Sequence, residues 1–219
     1  MTMLTWTEAG RQLADRLRAT IDHEPVVVAV SPSGATIASE VAHALAAPLD
    51  ILTTVRLVVP GRAHSIYGAV TDSGEVTLLP ERIAALGLPS EYVDRMIEVA
   101  RRDALERSEG WRGSSPAIDV WGRTVILVDD GRSDTVAITT AASVLRQAGA
   151  GDVIFAAPTA TADLIRALSP VCPHQVLLQS HADLLTTLVC GPAFPQLTPT
   201  DVRALVRRSR PNLTTAAGC

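Results

Sequence analysis

The chain has 219 residues, of which 47% are hydrophobic and only 3% aromatic, and its formal net charge is -4. This length suits one sizeable domain with an aliphatic core, and the negative charge argues against a dedicated nucleic-acid binder. No apolar run approaches the roughly 20 residues that span a bilayer, and the first residues lack the apolar core of a secretory signal. The three cysteines, Cys172, Cys190 and Cys219, are too few for a disulfide framework. We therefore expect a cytoplasmic protein with no membrane or nucleic-acid partner.

The first third of the chain has the pattern of a β–α–β unit. Apolar residues at helical spacing predict a helix over residues 4–21, which Pro25 ends. Residues 26–30 form a continuous aliphatic run, which is typical of a parallel strand covered on both faces. A turn at residues 31–34, a helix over residues 35–47 and a second strand over residues 51–59 complete the predicted unit.

The middle of the chain departs from this pattern. Residues 60–117 contain short strand-like pieces at 67–70 and 76–79, followed by a long charged helix over residues 90–108. Ser90 is the predicted N-cap of this helix, with Glu91 and Asp94 in the first turn, where the helix dipole favours anions. We interpret residues 60–117 as a flap or hood inserted into a single domain that spans residues 1–210.

The alternating pattern then resumes. Strands are predicted at residues 124–128, 153–157 and 175–179, with helices over 134–148, 161–168 and 200–208. Residues 211–219 are expected to be a disordered tail. The expected fold is therefore α/β, with a mostly parallel twisted sheet of about five strands, helices on both of its faces and a flap insertion.

The strongest chemical signal is the pair Asp129 and Asp130, which comes directly after the predicted strand at residues 124–128 and before Gly131. In open α/β sheets, ligands bind outside the carboxyl ends of the strands, where this pair would lie. Two adjacent carboxylates can accept hydrogen bonds from a vicinal diol, or they can hold a divalent cation. Alternatively, one aspartate caps the following helix and the other is solvated, and spacing alone leaves these interpretations equally open.

Residues 121–131, with the sequence WGRTVILVDDG, resemble the strand and acid pair of type I phosphoribosyltransferases. The resemblance covers most of residues 25–160, including a first strand and pyrophosphate loop at 26–41 and a strand and flap of a bacterial subgroup at 50–70. It implies displacement of pyrophosphate from phosphoribosyl pyrophosphate by a nitrogenous base, assisted by magnesium. It also implies that the acid pair contacts the ribose hydroxyls, while the loop after it wraps the 5′-phosphate with backbone N–H groups.

The resemblance assigns a set of ligand-binding residues to three loops. They are Ser33 and Gly34 in the pyrophosphate loop, Arg56 as a cation at the same end, and Asp129, Asp130, Gly131, Arg132, Ser133, Asp134, Thr135, Val136 and Ala137 around the ribose and 5′-phosphate. Asp129 and Asp130 are also the expected ligands of Mg²⁺. No catalytic residue is assigned, because such a site positions reactants and stabilises the departing pyrophosphate. The resemblance further implies a homodimer.

The same loops differ from the family pattern. Asp134 falls where the phosphate loop has a threonine, and its charge would repel a phosphate dianion. Thr135 falls on a glycine, and Pro32 replaces an arginine and removes a backbone donor. Asp134 has a second interpretation as the N-cap of the helix that follows it.

We therefore expect a phosphoribosyltransferase-like protein that binds a phosphoribosyl compound or a nucleotide, with weakened or lost transfer activity. An active magnesium-dependent enzyme for an unidentified nucleobase and a non-catalytic interaction or regulatory module remain as alternatives. A serine hydrolase at Ser33 is disfavoured because the turn lacks both glycines of a nucleophile elbow. A metal site at Cys172 and His174 is disfavoured because no second ligand pair has the required spacing.

Overall fold

A computed structural model describes residues 5–21, 24–62, 65–113, 115–179 and 197–209 of the chain. The predicted tail at residues 211–219, together with Cys190 and Cys219, lies outside the described residues. Within the described ranges, no helix is both long and apolar enough to cross a membrane.

Five parallel strands form the main sheet, and three antiparallel strands form a second, smaller sheet. In chain order the elements are α1 (Trp6–Leu17), β1 (Val26–Ala29), α2 (Pro32–Ala44), β2 (Leu49–Ile51), β3 (Thr54–Val58), β4 (Ile66–Thr71), β5 (Val76–Leu78), α3 (Pro80–Leu86), α4 (Ser90–Arg112), β6 (Thr124–Val128), α5 (Thr135–Gln147), β7 (Asp152–Ala157), α6 (Ala162–Leu168), β8 (His174–Leu177) and α7 (Pro199–Arg208). The main sheet has the order β2-β1-β6-β7-β8, and the small sheet has the order β3-β4-β5. The predicted α/β fold with a mostly parallel sheet is confirmed.

Helices cover both faces of the main sheet, as the continuous aliphatic strands predict. Val26 and Val28 of β1 belong to a core that also contains residues of α5 and α6. The intervening Val27 and Ala29 belong to a second core with residues of α1, α2 and α7. Successive side chains of a strand point to opposite faces, so a strand buried between two helical layers must be apolar at every position.

The single strand predicted at residues 51–59 is wrong, because this run forms two strands in different sheets. β2 pairs in parallel with β1, whereas β3 pairs with β4 in the antiparallel sheet. The chain changes sheets at Leu52, whose N–H donates to the Ala29 carbonyl (2.8 Å), and at Thr53, whose N–H donates to Asp72 (3.3 Å). Both pieces are rich in apolar and β-branched residues, so the sequence pattern has no feature at the break.

The small sheet packs on α4 and forms a third hydrophobic core. Leu57, Tyr67 and Val70 of the sheet lie in this core with Val93 and Ala100 of the helix. The small sheet begins at β3, upstream of residue 60, and the sequence pattern did not indicate α3. The flap or hood at residues 60–117 remains a prediction. The extent of a single domain over residues 1–210 remains a prediction.

The long helix α4 begins at the predicted residue, but its cap is different. Ser90 is its first helical residue, and the N-cap is Pro89, which makes no side-chain hydrogen bond to the helix. Pro89 has the extended backbone of an N-cap (φ -65°, ψ 147°), so Ser90 already lies inside the helix and is not the predicted cap. The helix continues to Arg112, one turn beyond the predicted end.

A buried ion-pair network at the end of α4 joins the flap to the main sheet. Arg112 donates its Nε to Oδ1 of Asp50 on β2 (2.8 Å) and its Nη1 to Oδ2 of Asp72, which follows β4 (2.6 Å). The same Asp72 oxygen accepts from Ser108 Oγ (2.6 Å), and Asp50 Oδ2 accepts from the Ile118 N–H (2.8 Å). Burial alone would lower the pKa of Arg112, but the two carboxylates raise it above its ordinary value, so the side chain remains charged.

Arg112→Met should lower the free energy of unfolding by about 3–5 kcal/mol, because it leaves two buried carboxylates without their cation. Arg101→Met on the same helix removes an exposed ion pair with Glu98 and should cost less than about 1 kcal/mol. Urea unfolding followed by circular dichroism measures both variants. Similar small losses in the two variants would show that the network does not hold the flap.

Candidate functional site

The acid pair lies where the direction of chain winding reverses. From β1 the chain continues outward to β2, whereas from β6, which neighbours β1, it continues to β7 on the other side. Crevices at the carboxyl ends of strands at such a switch point are the usual ligand sites of open α/β sheets. Asp129 and Asp130 directly follow β6 at this position and are 0% and 3% exposed.

The carboxylate of Asp129 accepts hydrogen bonds from its own loop. Its Oδ2 accepts from the Gly131 N–H (2.8 Å) and the Ser133 N–H (3.3 Å), and its Oδ1 accepts from Ser133 Oγ (2.6 Å). Three hydrogen bonds within residues 129–133 fold the loop back over the carboxylate. Asp129 therefore stabilises the conformation of the loop at residues 129–133.

Asp130 is held by two different loops and faces the crevice. Its Oδ1 accepts from the Arg132 N–H (3.0 Å), and its Oδ2 accepts from Ser33 Oγ (2.6 Å), which comes from the loop after β1. Each oxygen accepts one protein hydrogen bond, so each retains a lone pair for a ligand. The two predicted loops meet at this residue.

A crevice of about 500 Å³ opens in front of Asp130. The predicted site residues that line it are Ser33, Arg56, Asp130, Arg132, Ser133, Asp134 and Ala137. The other predicted residues are Gly34, Asp129, Gly131, Thr135 and Val136, which lie close in sequence but are not part of its wall. The structure thus brings the two predicted loops and Arg56 of β3 to one crevice.

Sequence reasoning missed several other residues that line the crevice. Trp6 of α1, Trp111 and Arg107 of α4, Thr54 of β3 and Leu197 contribute to it. Two of the three tryptophans of an aromatic-poor chain therefore lie at this site, a composition signal that was available. Their positions in the sequence have no motif spacing, because they reach the crevice from separate helices.

Both helix N-termini that point at the crevice are capped by the protein itself. Asp134 is the N-cap of α5, and its Oδ1 accepts from the Ala137 N–H (3.0 Å). Asp134 Oδ2 also lies 3.6 Å from Nε of Arg56. Ser31 caps α2 in the same way, with its Oγ accepting from the Gly34 N–H (3.0 Å). The interpretation of Asp134 as a helix cap is confirmed.

Cys172 and His174 make structural contacts with the neighbouring strand β7. Cys172 Sγ donates to the Val153 carbonyl (2.9 Å), and burial raises the pKa of this thiol to about 11. His174 Nδ1 lies 3.0 Å from Asp152 Oδ2. Among the described residues, no group of three or more His, Cys, Asp or Glu side chains is placed to hold a metal ion.

Gly131→Ala should destabilise the protein by about 1–3 kcal/mol, because the residue has a positive φ (84°) and its Cβ would lie 2.8 Å from the Thr159 carbonyl oxygen. Gly74→Ala is the matched control, since Gly74 has φ 88° but an added Cβ would meet nothing within 4 Å. Chemical denaturation of both variants separates backbone strain from the clash. An equal loss in the two variants would exclude a contribution from Thr159.

The pKa of Asp129 is raised to about 6, mainly because the carboxyl is buried and secondly because the negative charge of Asp130 is close. The pKa of an aspartate in the unfolded chain is about 3.9, so the folded protein binds the Asp129 proton more tightly than the unfolded chain does. Protonated Asp129 therefore contributes to the free energy of unfolding below about pH 4, and this contribution is lost as the pH rises through about 6. Asp129→Asn preserves the shape without the charge. We expect its stability relative to the wild type to increase by on the order of 2 kcal/mol between about pH 4 and pH 7. Urea unfolding at both pH values measures this, and a pH-independent difference would contradict it.

No protein-family model matches the chain. The chain is 30% identical over 175 residues, 80% of its length, to a Mycobacterium tuberculosis protein named "Putative phosphoribosyl transferase", found in two strains. It spans 40% of the length of these curated relatives.

The fold is also similar to a solved structure, that of the protein TT1426 from Thermus thermophilus. The TM-score is 0.75 at 28% sequence identity, and the match covers 95% of this chain and 99% of that one. The strand order, the acid pair at the switch point and these similarities agree: the chain belongs to the type I phosphoribosyltransferase-like family.

Proposed function

We propose that this protein binds the ribose of a phosphoribosyl compound or a nucleotide in the crevice, with weakened or lost transfer activity. The observation that supports this function most directly is Asp130, a carboxylate at the switch point that is buried and yet lines a crevice. The two ribose hydroxyls would donate to Asp130, with Asp129 as a positioning residue behind it. Charge-assisted hydrogen bonds of this kind are stronger than neutral ones.

The other charges of the crevice favour a ligand with an anionic end. Arg56, Arg107 and Arg132 come from β3, α4 and the loop after β6, and all three line the same crevice. The carboxylates of the wall are Asp130 and Asp134. Arginine is well suited to phosphate groups because its planar guanidinium donates two parallel hydrogen bonds.

Weakened transfer follows from the loops that the family uses for phosphate and pyrophosphate. The N-termini of α2 and α5 are capped by Ser31 and Asp134, so one N–H group of each, that of Gly34 and that of Ala137, is already engaged. Pro32, the first residue of α2, has no N–H to donate. A transferred group would therefore receive less of the stabilisation that phosphoribosyl transfer needs.

Magnesium is part of this proposal. In such sites Mg²⁺ is commonly held by one or two carboxylates together with substrate oxygens and water. Asp130 fits this role because it lines the crevice, whereas the oxygens of Asp129 are turned into the loop. The ion would neutralise charge on a pyrophosphate group.

Isothermal titration of the full chain with phosphoribosyl pyrophosphate, with and without Mg²⁺, tests the proposal. We expect magnesium-dependent binding that Asp130→Asn weakens at least about tenfold, because one charged acceptor of the diol is lost. Asp163→Asn, an exposed aspartate in the first turn of α6, is the control and should leave binding unchanged.

A pyrophosphate-release assay over the common nucleobases tests the second half of the proposal. We expect little or no release, and robust turnover with any base would establish an active phosphoribosyltransferase instead. Unchanged ligand-induced thermal shifts in the double variant Asp129→Asn with Asp130→Asn would favour the interaction module. The proposed homodimer is tested by light scattering after size exclusion.

A further inference from the structure

The resemblance to the family's phosphate loop assigns the 5′-phosphate of the proposed ligand to the start of α5, where this chain has Asp134. The Asp134 carboxylate accepts the Ala137 N–H at the start of the 13-residue helix α5, and it lies 3.6 Å from the guanidinium of Arg56. Asp134 thus supplies an anion to both the helix N-terminus and Arg56. The side chains belong to the wall of the crevice, and that of Arg56 is 57% exposed.

A phosphate dianion arriving at this position would meet three unfavourable conditions. It would be repelled by Asp134, it would compete for an N–H that is already engaged, and it would have to separate Arg56 from its partner. Repulsion between charges about 4 Å apart is substantial at the dielectric of a protein crevice, although solvent reduces it. Asp134 therefore opposes phosphate here even though the helix dipole would favour it.

A second observation on the same wall shows how an uncharged group could be held there. Thr54 precedes Arg56 by two positions on β3, so their side chains lie on the same face of the strand. The Thr54 hydroxyl oxygen is buried and has no hydrogen-bond partner within the described part of the chain, although the residue lines the crevice. A buried hydroxyl without a partner is costly, and the hydroxyl of a sugar can satisfy it with no charge on the ligand.

We propose that Asp134 is a specificity-determining residue that replaces the 5′-phosphate of the ligand, so that this phosphate adds no affinity in the natural chain. The inference rests on the proposed function, because it requires ribose at Asp130. A phosphoribosyl compound is then held through its ribose and its other anionic groups. A sugar with a free 5′-hydroxyl is accepted equally well.

The test compares D-ribose with ribose 5-phosphate, and the dissociation constant of ribose is referred to its furanose fraction, because its free 5-hydroxyl also closes the pyranose ring. Ligand-observed NMR titration of the full chain measures both dissociation constants for the wild type, Asp134→Asn and the control Asp163→Asn. Asparagine caps helices as well as aspartate does, so the substitution removes charge while keeping the cap. Asp134→Ser, with a second good capping residue, gives an independent variant, and thermal unfolding verifies that each variant is folded.

For the wild type and the Asp163→Asn control, we expect the dissociation constants of the two ligands to lie within about twofold of each other. In Asp134→Asn and Asp134→Ser, the affinity for ribose 5-phosphate alone should increase by at least about tenfold. Adding Arg56→Gln to Asp134→Asn should remove most of that gain, because the released guanidinium is a partner of the phosphate. Tighter wild-type binding of ribose 5-phosphate than of ribose, or an unchanged ratio in both Asp134 variants, would overturn the inference and leave the ribose site intact. Absence of binding by either ligand to every variant would instead overturn the proposed function, and this inference with it.

Discussion

A guanidinium between two buried carboxylates connects the main sheet to the small sheet. Arg112 contacts Asp50 on the main sheet and Asp72 beside the small sheet. Buried ion pairs contribute little net stability over an apolar replacement, but they tolerate few alternative arrangements, because each charge must keep its partner. The direct consequence is positional: Trp111, the neighbour of Arg112, and Arg107, about one turn earlier, are brought to the crevice with α4.

The two aspartates after β6 are adjacent in sequence but have different environments. The loop encloses Asp129 and satisfies it with three hydrogen bonds, whereas Asp130 joins the loops after β1 and β6 and lines the crevice. Burial is the main cause that raises the pKa of the enclosed member, Asp129. The pair therefore consists of one carboxylate that faces the crevice and one that holds the loop behind it.

The central sheet could be predicted because its strands are apolar at every position and are followed by helices. The position of the acid pair could be predicted because the pair directly follows an apolar run with the pattern of a buried strand. The change of sheet at Leu52 and Thr53 could not, since the apolar run continues across it. Arg112 could not be singled out either, because all 19 basic residues of the chain are arginines and its role depends on contacts with residues 40 and 62 positions away. The tryptophans at the crevice depend in the same way on tertiary packing.

The short connection between β2 and β3 has a further consequence. Only Leu52 and Thr53 separate the two sheets, and both donate their N–H groups to neighbouring elements. The β3 wall of the crevice is therefore not carried on a long segment that must become ordered when a ligand arrives. For the ligand proposed above, the entropy lost on binding would then fall, among the described residues, largely on side chains such as Arg56, Arg107 and Arg132. The field of these arginines would raise the rate at which an anionic ligand reaches the crevice, and salt would lower that rate.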